Sequence, residues 1–177
     1  MNGHWNKYCA YNANGSRRDS AHSQAAFRDA FRRIYVILHG GDQAEMNETL
    51  RSYGMPGVGR SLPANPQIRV IWNPQSFGSP NVPGNMPRAY WPGSRFVDIV
   101  GNDLYRMPGG ATWTANARFF REHPDKPYAF PEWGLWGHGR SRVHPAHAPL
   151  RDPASKGGAS CLVQRRSAYR RLITPLG

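Results

Sequence analysis

Apolar side chains between residues 23 and 39 recur at intervals of three and four, which is the spacing of one face of an α-helix. Asp19-Ser20 offers a helix N-cap just before this stretch. The pair Gly40-Gly41 is expected to end the helix. The apolar positions are Ala26, Phe27, Ala30, Phe31, Ile34, Tyr35 and Leu38. A second helix is predicted from Thr112 to Glu122, ended by His123-Pro124.

Three short apolar runs predict buried strands: Ile68–Trp72, Phe96–Val100 and Tyr128–Phe130. Residues 42–66 are expected to be an irregular insertion, because they are rich in Gly, Pro and Asn. Residues 73–94 are expected to be a long loop, since they contain five prolines.

The resulting order of helix, strand, loop, strand, helix and strand predicts an α/β fold with a parallel sheet. Polar residues directly follow each strand, and chemistry gathered at the carboxyl ends of parallel strands is typical of a (β/α)8 barrel. The segments that contain these polar residues are Trp72-Asn73-Pro74, Asn102-Asp103-Leu104-Tyr105 and Pro131-Glu132. The alternative, an open doubly wound sheet, normally has a Gly-rich phosphate turn directly after a strand, and none is seen here.

Composition narrows the class only a little. The 19 glycines and 16 prolines favour many loops over a helical bundle. No run of about 18 apolar residues exists that could cross a membrane. The opening residues show no signal-peptide pattern. Cys9 and Cys161 are too few for a disulfide framework and have no metal-ligand spacing.

A net charge of +12 raises the question of a nucleic-acid partner. Residues 137–177 contain seven Arg and one Lys against one acid, Asp152, so they carry most of this charge. No basic run interleaved with aromatic residues occurs in the rest of the chain, as a single-strand-binding surface would need. An Arg-rich composition bias is therefore favoured over a nucleic-acid partner.

Glu132 is the main candidate for chemistry. It follows a predicted strand in the segment KPYAFPEWG, which places a carboxylate at the rim of a barrel beside Trp133, whose indole suits a sugar ring. The alternative is an ordinary loop Glu in a salt bridge. Tyr105 could donate a hydrogen bond to such a carboxylate. Asn73 and Asp103 could bind sugar hydroxyls, although a turn-forming role for Asp103 is equally consistent with the sequence, and Trp72 is expected to pack in the core.

These motifs together resemble glycoside hydrolase family 26, the β-mannanase family. The resemblance starts at Met1-Asn2-Gly3-His4-Trp5, the second half of a strand-four motif whose Glu is the general acid/base. It continues through Trp72-Asn73-Pro74, Tyr90-Trp91-Pro92-Gly93 and the segment from Phe96 to Tyr105. It ends with Lys126-Pro127 and Pro131-Glu132-Trp133-Gly134. Residues 1–136 would then be strands four (end) to seven of a partial (β/α)8 TIM barrel.

The resemblance implies a retaining hydrolase acting on a β-linked polysaccharide or oligosaccharide, without metal or cofactor. It assigns Glu132 as nucleophile and Tyr105 as the residue that orients it. Asn2, Trp5, Asn73, Asp103 and Trp133 are the implied sugar contacts. The acid/base Glu is expected directly before Met1, in an upstream segment. The family further implies secretion, and a monomer when the domain is complete.

Residues 137–177 depart from the family pattern. The stretch 137–164 shows no strand-like run long enough for an eighth strand, whereas SAYRRL, from Ser167 to Leu172, again predicts the final helix. An out-of-frame reading between Trp136 and Arg165 would explain this change, and a disordered Arg-rich tail is the alternative. Two other functions stay open: a noncatalytic carbohydrate-binding remnant, and a basic module for nucleic acid or another polyanion.

Overall fold

The computed structural model describes residues 1–106, 113–135 and 162–164. The chain divides into two compact units, Met1–Asp98 and Ile99–Gly177. This division falls earlier than the boundary after residue 136 that the sequence suggested. The hypotheses about residues 137–161, Cys161 and the terminal helix at Ser167–Leu172 concern residues outside those described.

The first unit is built around α1 (Gln24–His39), which confirms the helix predicted from residue 23. The Ser23 side chain accepts a hydrogen bond from the backbone N–H of Ala26 and caps the helix. Gly40 ends it with a positive φ of 66°, which glycine adopts without strain. Asp19, the cap suggested by the sequence, instead caps a short 3-10 helix, Ser20–His22.

The prediction of an irregular insertion at residues 42–66 is wrong, because α2 (Gln43–Arg51) lies within it. The Asp42 side chain accepts from the backbone N–H groups of Ala44 and Glu45, which starts the helix. Met46 and Leu50, one turn apart, are buried. With only these two apolar anchors, the helical period is too weak to read from sequence. The core they join also contains Val36, Met55 and Phe96.

Two predicted strands have different bounds. Of Ile68–Trp72 only β1 (Ile71–Trp72) is a strand. Val70 is instead held by Asp98, whose carboxylate Oδ2 accepts from the Val70 N–H at 2.8 Å and whose N–H donates to the Val70 carbonyl at 3.1 Å. The predicted strand Phe96–Val100 is a strand only in its last two residues, which belong to β2 (Ile99–Gly101). Its first residue, Phe96, ends a 3-10 helix at Ser94–Phe96. The long loop after β1 holds only short 3-10 turns, at Pro83–Asn85 and Pro87–Tyr90.

The second unit contains β2, β3 (Leu104–Arg106), α3 (Trp113–Glu122), β4 (Tyr128–Phe130) and β5 (Trp133–Leu135). The predictions of a helix ending at Glu122 and of a strand at Tyr128–Phe130 are confirmed. β2 pairs in parallel with β4, and β3 pairs in parallel with β5.

α3 contacts β4 through a cluster of aromatic rings. Phe120 meets the Tyr128 ring edge-on with centroids 5.5 Å apart, and Trp113 meets Phe130 in the same way at 5.5 Å. The Tyr128 hydroxyl donates to Asn116 Oδ1 at 3.0 Å in the buried interior. This packing fixes β4, the strand that leads into Glu132.

Within residues 137–164, where the sequence shows no run long enough for an eighth barrel strand, the last three residues form a short strand. β6 (Leu162–Gln164) pairs antiparallel with β4. Pairing along a strand edge uses backbone groups, so three residues can form a strand without a long apolar run. A strand antiparallel to its neighbour differs from the all-parallel order of a (β/α)8 barrel. The partial barrel stays a prediction.

Candidate functional site

A register shift lies between the two pairs of parallel strands. Gly101 in β2 is opposite Ala129 in β4, and Leu104 in β3 is opposite Trp133 in β5. Between these pairs, two residues on one side face three on the other, Phe130 to Glu132. The two strand pairs belong to separate sheets, and the backbone bends at Pro131 and Glu132. We call residues 130–132, one more than the residues opposite them, the bulge, because an extra residue bends the chain here as it does in a β-bulge. Glu132 is the last residue of the bulge.

The bulge remains bonded to its neighbour. The Leu104 N–H donates to the Glu132 carbonyl at 2.9 Å, which fixes the backbone of Glu132 against β3. The Glu132 side chain is exposed. A solvent-facing carboxylate is thus held on anchored backbone at the carboxyl end of β4.

Tyr105 is the partner of this carboxylate. Its hydroxyl donates to Glu132 Oε2 at 3.0 Å, across 27 residues of sequence. The hydrogen bond to Glu132 is the main cause that raises the pKa of Tyr105, with smaller contributions from burial and from the charges of Glu132 and Asp103. The phenol therefore keeps its proton and restricts the carboxylate to one orientation. The structure brings together the two residues that the family resemblance pairs.

Asp103 and Trp133 flank this pair in sequence. Asp103 is half-buried between β2 and β3, close enough for its charge to act on Tyr105. Trp133 directly follows Glu132, and 52% of its surface is exposed. An exposed indole can pack against the C–H face of a sugar or another flat apolar group. The second unit thus holds four of the predicted site residues.

Asn2 lies in the first unit and is fully buried. Its Nδ2 donates to the carbonyls of Gln75 and Phe77, at 3.1 and 2.9 Å, and its Oδ1 accepts from the Gln75 N–H at 3.0 Å. The Asn2 carbonyl accepts from Nδ2 of Asn85, itself fully buried. The Asn2 side chain, a sugar contact according to the family resemblance, therefore bonds to backbone groups. These bonds connect the N-terminal segment to the loop after β1.

Trp5 and Asn73, also in the first unit, differ in exposure. Trp5 is 64% exposed, and its ring lies so close to Gly3 that a Cβ there would come within 2.6 Å of it. Asn73 follows β1 directly and is half-buried. Trp72 is fully buried and meets Trp91 edge-on with centroids 4.7 Å apart, which confirms the expectation that it packs in the core.

Sequence reasoning missed two features of this region. One is the bulge, which no residue pattern predicts, because it is defined by the pairing of two segments that are distant in sequence. The other is Gly134, the residue opposite Tyr105. A glycine inside a strand signals a close approach of another group and could have drawn attention to it.

Comparison of the chain with protein-family models, with curated proteins and with solved structures found no match. Among the described residues, no group of three or more His, Cys, Asp or Glu side chains is arranged to hold a metal ion. Within the same part of the chain, no helix has the length and apolar character needed to span a membrane.

Proposed function

We propose that the chain is part of a retaining glycoside hydrolase of the β-1,4-mannanase type, with Glu132 as its nucleophile. The hydrogen bond from Tyr105 to Glu132 Oε2, at 3.0 Å, carries this proposal. A tyrosine that holds one carboxylate oxygen leaves the other free to react. The exposed Trp133 next to it offers a surface on which a sugar ring can pack.

In the proposed reaction, the free oxygen of Glu132 attacks the anomeric carbon of a β-linked sugar. The glycosidic C–O bond breaks, and its electron pair leaves with the departing oxygen, which a second carboxylic acid protonates. The covalent glycosyl-enzyme is then hydrolysed by water, which the same second residue activates. The Tyr105 hydroxyl acts on the first step by keeping the Glu132 carboxylate in its reactive orientation.

The test uses a substrate whose leaving group needs no proton. A 2,4-dinitrophenyl 2-deoxy-2-fluoro-β-mannobioside should transfer its sugar to Glu132 and release dinitrophenolate, since this anion is stable unprotonated. Peptide mass spectrometry should locate the adduct on the peptide that contains Glu132. The Glu132→Gln variant should form no adduct, because an amide oxygen is a far weaker nucleophile.

Glu122→Gln is the matched control, since Glu122 is an exposed carboxylate on α3 of the same unit. It should be labelled like the unmodified chain. An adduct that persists in Glu132→Gln, or that lies on another residue, would exclude Glu132 as the nucleophile.

A noncatalytic carbohydrate-binding role is the second candidate, and the exposure of Trp5 and Trp133 favours it. Binding of mannan, xylan or a mixed glucan without any adduct would support this role. The salt dependence of binding separates both sugar-based functions from a polyanion-binding module. Attraction between the +12 chain and phosphate groups weakens steeply as salt rises, whereas stacking on indole does not.

A further inference from the structure

The Tyr105 ring lies against a glycine of the neighbouring strand. Tyr105 in β3 is paired with Gly134 in β5. A Cβ added to Gly134 would lie 3.3 Å from Cε1 and 3.4 Å from Cδ1 of the Tyr105 ring. Carbon atoms make their best contact at about 3.5–4.0 Å, so the tyrosine ring would have to move by a few tenths of an ångström to admit a methyl group at position 134.

The backbone itself does not require glycine at position 134. Gly134 is not among the glycines with positive φ, where a side chain would be strained. Among the residues that the structure describes, the added Cβ would meet only Tyr105 within 4 Å. The tyrosine ring is therefore the group that a side chain at position 134 would displace.

The same arrangement explains how the phenol reaches Glu132. Glu132 lies at the bend just before β5, two residues ahead of Gly134. Tyr105 is opposite Gly134, and its hydroxyl bonds the residue two positions earlier, Glu132. The ring passes over Gly134 as it makes this bond.

We infer that Gly134 is a positioning residue, whose missing side chain lets the Tyr105 ring lie against β5 and directs its hydroxyl to the Glu132 carboxylate. The functional meaning of this contact rests on the proposed role of Glu132 as nucleophile. The contact itself depends only on the packing of the second unit.

The titration of Tyr105 in the full chain tests the inference without any substrate. Tyrosine rings labelled with 13C are followed by NMR against pH, and Tyr105→Phe assigns the signal. Glu132→Gln should lower the pKa of Tyr105 toward its ordinary value of 10.0, since the hydrogen bond to the carboxylate is the main cause of its elevation. Gly134→Ala should lower it in the same direction but by less, because the methyl group pushes the ring by a few tenths of an ångström and lengthens the hydrogen bond to Glu132.

Gly59→Ala is the matched control, because a Cβ at Gly59 meets nothing within 4 Å and its φ is not positive. It should leave the titration of Tyr105 unchanged. If Gly134→Ala keeps the raised pKa while Glu132→Gln loses it, Gly134 does not position the ring. If Glu132→Gln leaves the pKa raised, the hydrogen bond is not its cause, and the inference is likewise overturned.

A double-mutant cycle covers the case in which Gly134→Ala folds poorly. If the methyl group clashes only with the ring, any fall in unfolding midpoint caused by Gly134→Ala should disappear in a Tyr105→Ala background. The same fall in both backgrounds would contradict the inference.

The two proposals fail separately. Absence of a glycosyl adduct at Glu132, with the Tyr105 titration behaving as expected, would refute the hydrolase and leave the positioning by Gly134 intact. An adduct at Glu132 with an unchanged titration in Gly134→Ala would do the reverse.

Discussion

The substitution Asn2→Ala can show whether Asn2 contacts a sugar or stabilises the fold. Asn2→Ala removes three hydrogen bonds to the backbone of Gln75 and Phe77, while the residue itself is fully buried. A typical intramolecular hydrogen bond contributes about 1 kcal/mol net. The expected loss in the free energy of unfolding of the first unit is therefore about 3 kcal/mol.

Urea unfolding measures this loss directly. With a slope of about 2 kcal/mol per molar urea, a loss of about 3 kcal/mol lowers the midpoint by roughly 1.5 M. Asn81→Ala, the same substitution at an exposed position of the same unit, should leave the midpoint nearly unchanged. An Asn2→Ala chain with a normal midpoint but weakened glycan binding would refute the structural role and restore the sugar contact.

Two further predictions concern single elements. Asp42→Ala should destabilise the first unit by about 1 kcal/mol, because α2 loses its N-cap. Urea unfolding should then show a lower midpoint with an unchanged slope. An unchanged midpoint would contradict the capping role. Burial lowers the pKa of His123 below its ordinary value of 6.5. The second unit should therefore lose stability as pH falls below about 6.5, since the unfolded chain takes up the proton more readily. His123→Gln should weaken this dependence in thermal unfolding followed at several pH values, and an identical dependence in both chains would exclude His123 as a cause.

The sequence alone located those elements whose signals are local. α1 has seven apolar positions at intervals of three and four and a glycine pair at its end, so its period and its C-terminal limit are visible without any tertiary partner. Its cap is Ser23 instead of the Asp19-Ser20 pair that the sequence suggested. β4 was placed with its observed bounds because Pro127 and Pro131 enclose a run of three apolar residues. α2 was missed because its stability comes from burying Met46 and Leu50 in a core formed by distant parts of the unit.

Tertiary contacts determine which residues belong to the strands. Val70 belongs to an apolar run, yet its N–H and carbonyl bond Asp98, 28 residues away, so it does not extend β1. No sequence period encodes such a partner. The same holds for β6, whose three residues become a strand only because β4 offers an edge.

For the candidate site, the sequence supplied the residue types and a resemblance supplied their pairing. Glu132 after a strand and Tyr105 after another could be marked as candidates from position alone. Their hydrogen bond needs the parallel register, the extra residue in the bulge and the open space above Gly134 at once. All three are contacts between segments about 27 residues apart in sequence. The hydrophobic period and the local propensity depend only on residues that are neighbours along the chain, so they do not predict such contacts.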